Sequence, residues 1–248
     1  MKSLDKFNRD GFLIIKKAIN KNECKKLIKQ TIIPILHANN IYLTKPETWS
    51  EDGELLHGKN NGHIIKKSSK HFRFRSLFNS KKLNKTLDLI HSRCLSSNKK
   101  WNYNDLAKEG LGWIHLRYPY IKYNKSKLIY PIDCFHLDGL KNDYINYLQS
   151  VIILPFITTV KKNQGGTAVI PGSHKLINDY LLRYNYKTNT DVNDTIEKIV
   201  NNNKHNVIDM VGEQGDILIM HPHLVHSVSY ADINSKVRIT FNLSTVIY

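Results

Sequence analysis

Apolar and polar residues alternate strictly near the C-terminal end of the chain. The apolar positions are Val237, Ile239, Phe241 and Leu243, and the polar positions between them are Arg238, Thr240, Asn242 and Ser244. A period of two predicts a β-strand with one apolar and one polar face. The same alternation begins at Trp113, where His115 and Arg117 share its face and Ile114, Leu116 and Tyr118 share the other. We therefore expect a β-rich second half.

Other stretches complete this pattern. The nearly continuous apolar run from Gln149 to Val160 predicts a buried strand, Thr167–Ile170 a short strand, and Gly215-Asp216 the start of another. His174 lies in a Pro-Gly turn, where we expect a structural role. Residues 183–206 are polar and rich in asparagine, which indicates an insertion or a mobile loop over one end of a barrel.

The first half has a helical period instead. Phe7 to Ile15 predicts a helix end, a turn at Gly11 and a strand. Asn20 is a helix cap followed by apolar residues at helical spacing, and Pro34 should kink or end that helix. A second amphipathic helix is predicted from Leu83, Leu87, Ile90 and Cys94. Residues 39–75 predict irregular structure or a lid, with His57, His63 and His71 as surface histidines.

Net charge and cysteine content indicate which partners and which cellular compartment suit the protein. The formal net charge of +16 fits nucleic acid, an anionic membrane or an acidic substrate, or simply A/T-rich coding that yields many lysines and asparagines. The three cysteines are widely spaced and odd in number, which favours a reducing compartment over a disulfide framework. We find neither a signal peptide at the start nor an apolar run near the roughly 20 residues of a membrane span. The sequence therefore predicts a cytoplasmic protein.

The most informative motif is Phe135-His136-Leu137-Asp138-Gly139. On a strand, His136 and Asp138 point to one face and can bind one ion. A third ligand is available in His221-Pro222-His223-Leu224-Val225-His226. Two imidazoles and one carboxylate suit non-haem Fe(II) with open coordination positions. A zinc hydrolase that uses His221, His223 and His226 is the alternative that these spacings leave open.

Further polar residues fit an organic acid cosubstrate. Arg238 either binds the distal carboxylate of a dicarboxylate, with Thr240 on the same face as a hydroxyl donor, or lies on an exposed barrel face. Arg117 either lines the pocket or faces solvent. Gln149 and Arg117 are further candidates for residues of the cofactor pocket.

Several segments in order resemble the phytanoyl-CoA dioxygenase-like branch of the Fe(II)/2-oxoglutarate oxygenases. They are Asp10 to Leu13, His136-Leu137-Asp138, Gly165-Gly166 through Pro171-Gly172-Ser173-His174-Lys175, Gly215-Asp216, His226 and Arg238. The resemblance implies one domain over residues 1–248 with a double-stranded β-helix (jelly-roll) core. Residues 1–110 would form a mostly helical support and possible lid, and residues 111–248 the core.

The resemblance also implies a function. His136, Asp138 and His226 would be the iron ligands and Arg238 the 2-oxoglutarate anchor, with O2 as the oxidant. His221 and His223 would then be structural residues beside the site. The carboxylate of Asp138 favours hydroxylation, because related halogenases have a small residue there. We expect a small-molecule substrate; the alternatives are action on nucleic acid or protein, or a barrel that binds metal without catalysis.

Overall fold

The computed structural model describes residues 2–49, 62–65, 80–93, 113–119, 134–138, 140–141, 144–145, 149–183 and 191–246. The helices are α1 Lys2–Asp10, α2 Lys21–Leu27, α3 Ile33–His37, α4 Lys81–Arg93, α5 Ser173–Arg183 and α6 Asp191–Asn202. A π-helical turn, Ile28–Ile32, and two 3-10 turns, Pro46–Thr48 and Lys204–Asn206, complete the helical elements. His57, His71, Cys94 and the side chain of His63 lie outside the described residues.

The strands of the described chain form one large and two small antiparallel sheets. They are β1 Phe12–Ile15, β2 Gly62–Ile65, β3 Trp113–Arg117, β4 Leu140–Lys141, β5 Tyr144–Ile145, β6 Gln149–Pro155, β7 Thr167–Val169, β8 Ile208–Met210, β9 Ile217–Met220, β10 His226–Val228 and β11 Arg238–Val246. The large sheet has the order β1-β9-β6-β11-β3-β2, and the smaller ones have the orders β10-β7-β8 and β4-β5. The predicted fold class, a β jelly roll with flanking helices, is confirmed.

Alternation along the strands divides the core into layers. In β3 and β11 the apolar positions, such as Leu116 and Phe241, pack in one cluster with Leu36 and Leu87 of the N-terminal helices. These strands therefore bury their apolar face against the helices, and their polar face turns into the space between the sheets. The interior positions of β6 and β9, such as Ile152 and Leu218, are apolar and belong to a second cluster. Within the large sheet, the described strands β3 and β11 therefore line the interior with polar residues, and β6 and β9 line it with apolar ones.

Helices α5 and α6 cover the three-stranded sheet β10-β7-β8. A third cluster joins Val225 and Ala168 to residues of these helices, including Ile177 and Ile196. Helix α6 lies within the stretch that we expected to be an insertion or a mobile loop. The loop interpretation was wrong for residues 191–202, because apolar residues at helical spacing pack beneath the polar surface; these are Val192, Ile196, Ile199 and Val200.

Most N-terminal predictions agree with the structure, but the expectation of irregular structure or a lid over residues 39–75 was wrong for Gly62–Ile65, which pairs with β3 as β2. Gly11, at φ 82°, connects α1 to β1, which pairs with β9 at the edge of the large sheet. The side chain of Asn20 caps α2 by accepting a hydrogen bond from the amide of Asn22. The regular helix is interrupted before Pro34 by the π-helical turn, as the proline predicted. Strands β1 and β2 show that residues before 110 contribute to the sheet, while the division into support and core stays a prediction.

Gly215 offers a test of the turn that precedes β9. Its φ is 92°, and a Cβ added there would lie 2.3 Å from the carbonyl oxygen of Ile19. We expect Gly215→Ala to lower the free energy of unfolding by about 2–4 kcal/mol, because strain and backbone overlap combine. Gly172→Ala is the matched control, since its φ is 79° but the nearest atom to an added Cβ is 3.6 Å away. Equal losses in urea denaturation would contradict the overlap argument.

Among the helices in the described part of the chain, none has the length and apolar character needed to cross a membrane.

Candidate metal centre

Backbone pairing brings His136 and His226 together. The two residues form an isolated antiparallel bridge in which each amide donates to the other's carbonyl, at 2.9 and 3.1 Å. Their rings lie side by side with centroids 4.5 Å apart. Phe135 and Leu137 point into the cluster beneath α5 and α6. His136 and Asp138 therefore point the opposite way, as the i, i+2 spacing predicted.

Hydrogen bonds hold the imidazole rings of His136 and His226 so that one nitrogen of each ring is available to bind a metal. Nδ1 of His136 is 2.8 Å from the carbonyl oxygen of Cys134, and Nδ1 of His226 is 2.8 Å from that of Leu224. A carbonyl only accepts, so each Nδ1 carries the proton and donates it. The Nε2 lone pairs are left free, and they lie 3.5 and 3.7 Å from Oδ1 of Asp138. Such outer hydrogen bonds fix the tautomer that a metal needs.

Asn242 orients the carboxylate. Its Nδ2 donates to Oδ2 of Asp138 at 3.0 Å, which leaves Oδ1 directed at the two imidazoles. Sequence reasoning did not identify Asn242, although its position on the polar face of β11, in phase with Arg238 and Thr240, was a usable signal.

The charge states of Asp138 and His226 also suit a cation. Burial would raise the pKa of Asp138, but contact with His136 and the nearby His226 outweigh it and hold the pKa well below its usual range. Burial lowers the pKa of His226, with the neighbouring His136 adding to the effect. An ionised carboxylate and a neutral imidazole are the forms that bind metal.

The geometry of the three side chains fits a 2-His-1-carboxylate metal site. One ligand atom from each of His136, Asp138 and His226 lies within 4.8 Å of the others, the only such group of three found among the described residues. The side chain of His226 is 7% exposed and that of His136 52% exposed, so one side of the site is open. The zinc alternative is not supported, since His221 and His223 do not join His226 in this group.

The arginines lie at the other end of the same polar face. Arg238 pairs with Arg117 across β11 and β3, four residues along the strand from Asn242 and its partner Trp113. Arg238 is 5% exposed, which excludes the exposed-face alternative. The Nε of Arg238 and the Nε and Nη1 of Arg117 are buried without a hydrogen-bond partner in the described part of the chain. Burial lowers the pKa of Arg238 to about 9 and that of Arg117 to about 10.

The remaining predicted pocket residues lie nearby in different settings. Thr240 is buried between Arg238 and Asn242, but its hydroxyl already donates to the carbonyl oxygen of Pro155 at 2.6 Å. It keeps lone pairs that can accept, and its role toward a cosubstrate stays a prediction. Gln149 begins β6, and its side chain lies outside the described residues.

Asp209 is a second polar residue that sequence reasoning missed. It influences the pKa of Arg238, and its carboxylate accepts hydrogen bonds from Ser229 at 2.8 Å and from the amide of Asn163 at 3.1 Å. A Cβ at Gly166 would lie 2.3 Å from Oδ1 of Asp209, so this glycine makes room for the carboxylate. No local pattern in the sequence linked Asp209 to Arg238, since only the pairing of β7 with β8 brings that region together.

His221 and His223 form a separate cluster with His174. Ring centroids of His221 lie 5.0 Å from those of His174 and 5.2 Å from those of His223. Nδ1 of His221 accepts from the amide of His223, and Nδ1 of His223 contacts Oδ1 of Asn178. His174 is buried in the first turn of α5 beneath Gly11. Its contact with this cluster favours the structural role expected for all three histidines.

This cluster predicts a loss of stability in acid. Burial lowers the pKa of His223 to about 4 and that of His221 well below its usual value. Between pH 6.5 and about pH 4 the unfolded chain therefore binds more protons than the folded one, and the free energy of unfolding falls as the pH falls. Thermal melts should show the loss, and His223→Gln should make it shallower. The exposed His205 supplies the control, because an equal change with His205→Gln would rule out the cluster as the cause.

Comparisons with known proteins give the family. Residues 7–239 match the sequence model of the family described as Phytanoyl-CoA dioxygenase (PhyH). The chain belongs to this family. No curated protein matches the chain. As a PhyH-family member with this triad, the protein is an Fe(II)/2-oxoglutarate-dependent oxygenase, which confirms the predicted enzyme class and cofactors.

Solved structures share the fold at low sequence identity. AviO1 from Streptomyces viridochromogenes Tue57 is 16% identical with a TM-score of 0.59, covering 99% of this chain and 93% of its own. HygX from Streptomyces hygroscopicus, solved with nickel and 2-oxoglutarate bound, is 13% identical with a TM-score of 0.59 over 99% and 86%. SnoK, a non-heme alpha ketoglutarate dependent carbocyclase from nogalamycin biosynthesis, is 14% identical with a TM-score of 0.59 over 99% and 83%. These solved structures share the overall fold of this chain.

Proposed function

We propose that this PhyH-family oxygenase hydroxylates a small-molecule substrate with release of succinate and CO2. The observation that carries the proposal is the polar face of β11 and β3. It leads from the metal triad, where Asn242 contacts Asp138, to the buried Arg238, whose Nε has no hydrogen-bond partner among the described residues. A metal-binding barrel without catalysis has no use for a buried guanidinium at this place. We therefore assign the metal end of this face to the keto-acid end of 2-oxoglutarate, and Arg238 to its distal carboxylate.

The triad would hold the iron. Nε2 of His136, Nε2 of His226 and Oδ1 of Asp138 would be the donor atoms, and the site is open on the side of the half-exposed His136. When bound, iron and 2-oxoglutarate supply the oxidation, in which one oxygen atom of O2 enters a substrate C–H bond and the other enters succinate as CO2 leaves. Retention of the Asp138 carboxylate supports hydroxylation.

The protein's own residues provide orientation and charge. Arg238 would bind the distal carboxylate of 2-oxoglutarate through charge-assisted hydrogen bonds, which would satisfy the Nε that has no partner among the described residues. Asn242 prevents Asp138 from rotating away from the imidazoles. Apolar interior residues of β6 and β9, such as Ile152 and Leu218, would exclude water beside this polar face.

Two structural neighbours support 2-oxoglutarate as the cosubstrate. HygX was solved with 2-oxoglutarate, and SnoK is described as alpha ketoglutarate dependent. A cytoplasmic location also stays a prediction.

Anaerobic spectroscopy tests the proposal directly. Fe(II) plus 2-oxoglutarate should give a visible metal-to-ligand charge-transfer band that neither component gives alone. Folded, metal-loaded protein without this band would contradict the proposal. Where the band forms, compounds that stimulate succinate release identify the substrate, and hydroxylated product should appear in step with succinate.

A further inference from the structure

The peptide group between Leu224 and Val225 is hydrogen-bonded at both of its ends. Its carbonyl oxygen accepts a hydrogen bond from Nδ1 of His226 at 2.8 Å, and its amide donates to the side-chain oxygen of Ser173 at 2.9 Å. Val225 is fully buried, so water does not replace the serine as an acceptor for this amide. One hydroxyl group therefore fixes the plane of the peptide to which the His226 ring is bonded.

The orientation of this peptide decides which nitrogen of His226 can bind a metal. While the carbonyl accepts from Nδ1, the proton stays on Nδ1, and Nε2 keeps its lone pair directed toward Asp138. If the carbonyl turned away, the neutral ring could carry its proton on Nε2 instead, and that atom could then bind no metal. Hydrogen bonds that share a peptide group also polarise one another, so donation to Ser173 makes the carbonyl a stronger acceptor.

The Pro171-Gly172-Ser173-His174 motif is itself fixed on two sides. Just before it, the amide of Ile170 donates to the carbonyl oxygen of Val225 at 3.1 Å. Within it, the amide of Gly172 donates to the carbonyl oxygen of Asp10, at the end of α1, at 3.0 Å. These backbone bonds do not depend on the serine side chain. They give the serine a fixed base from which its hydroxyl reaches the peptide before the metal ligand.

We propose that Ser173 is a positioning residue for the metal site. Its hydroxyl oxygen holds the Leu224–Val225 peptide so that His226 keeps its proton on Nδ1 and offers Nε2 to iron. This inference rests on the proposed function, because it takes His226 as an iron ligand. The ring of His136 has a different acceptor, the carbonyl oxygen of Cys134, and therefore does not depend on the serine. The two histidines of the triad thus respond differently to the loss of one hydroxyl group.

The first measurement uses full-length, metal-free protein with isotopically labelled histidine. The NMR shifts of the ring nitrogens report the tautomer of each imidazole, at about pH 8.5, above the ordinary pKa of histidine. We expect both His226 and His136 of the wild type to carry the proton on Nδ1. Ser173→Ala should move His226 toward the Nε2–H form and leave His136 unchanged. Ser173→Thr, which keeps the hydroxyl group, should retain the wild-type tautomer.

Metal affinity gives a second measurement with a matched control. Anaerobic titration of Fe(II) against a competing chelator should show a Kd about tenfold higher in Ser173→Ala, because outer partners of metal ligands contribute about 10- to 100-fold and the serine acts through a peptide. Thr159→Ala is the control, since Oγ1 of Thr159 accepts from the amide of Gln214 at 3.0 Å, in the turn before β9. Both alanine variants should melt a few degrees below the wild type. Only Ser173→Ala should lose affinity for the metal.

Three results would overturn the inference. The first is a wild-type His226 protonated on Nε2, which is seen without any variant having to fold. The second is a Ser173→Ala protein that keeps both the Nδ1–H form and the wild-type Kd for Fe(II). The third is an equal loss of metal affinity in Thr159→Ala. Failure of the proposed function would look different, because the tautomer of His226 would still follow Ser173 while Fe(II) and 2-oxoglutarate gave no charge-transfer band in the wild type.

Discussion

Asp138→Ala should fold normally and lose the iron centre. The variant removes the one anionic ligand, and two neutral imidazoles cannot offset the charge of a divalent ion. We expect no charge-transfer band and a fall in succinate formation of more than about 100-fold, since loss of a mere outer partner already costs 10- to 100-fold. Binding of Fe(II) followed by anaerobic spectroscopy measures the effect.

Two control variants show how large the effect of Asp138→Ala on metal binding is. Asn242→Ala removes only the hydrogen bond to Oδ2 of Asp138, and we expect it to weaken metal binding by about 10- to 100-fold. Asp179→Ala removes an exposed carboxylate on α5 and should have no effect. Full activity in Asp138→Ala would mean that iron binds elsewhere in the chain.

Arg238→Gln should lose the cosubstrate while it keeps the metal. The variant leaves the distal carboxylate of 2-oxoglutarate in a buried place without its cation, which costs about 2–5 kcal/mol. We therefore expect the Kd for 2-oxoglutarate to rise by about 30-fold or more, with Fe(II) binding unchanged. Titration of the charge-transfer band gives both constants in one experiment.

The same variant distinguishes an anchor from a structural arginine. The Nε of Arg238 has no partner in the described structure, so its removal should not lower the melting temperature of the ligand-free protein. Arg238→Lys keeps the charge but not the planar donor array, and it should fall between the wild type and Arg238→Gln. A large loss of stability with unchanged 2-oxoglutarate affinity would assign Arg238 to the fold alone.

Local patterns predicted those parts of the site that depend on one strand. Alternation from Val237 to Leu243 was enough to place Arg238 and Thr240 on one face, and the spacing of His136 and Asp138 was enough to turn both side chains inward. Local patterns did not select His226 over His221 and His223 as the metal ligand. Spacing left all three open, and only the family resemblance selected the ligand that the bridge to His136 later explained.

Contacts between distant segments were beyond sequence reasoning. Asn242 meets Asp138, and Asp209 influences Arg238, only after strands from separate regions have paired. Helix α6 was missed for another reason, because asparagines on its exposed side hid an apolar stripe that includes Ile196 and Val200. In each case the residue type was compatible with its role, but its neighbours were set by the tertiary fold.

Strand β11 has a further consequence, because it carries both Arg238 and the asparagine that orients Asp138. Inserting or deleting one residue between them would turn one of the two side chains out of the cavity, so only changes of two residues, about 7 Å, keep both inside. If the proposed function is correct, the backbone of β11 therefore allows the distance between the iron and Arg238 to change only in steps of two residues. A keto diacid one methylene longer or shorter than 2-oxoglutarate changes the span by much less than this step, so the side chain of Arg238 and not the backbone would have to accommodate it.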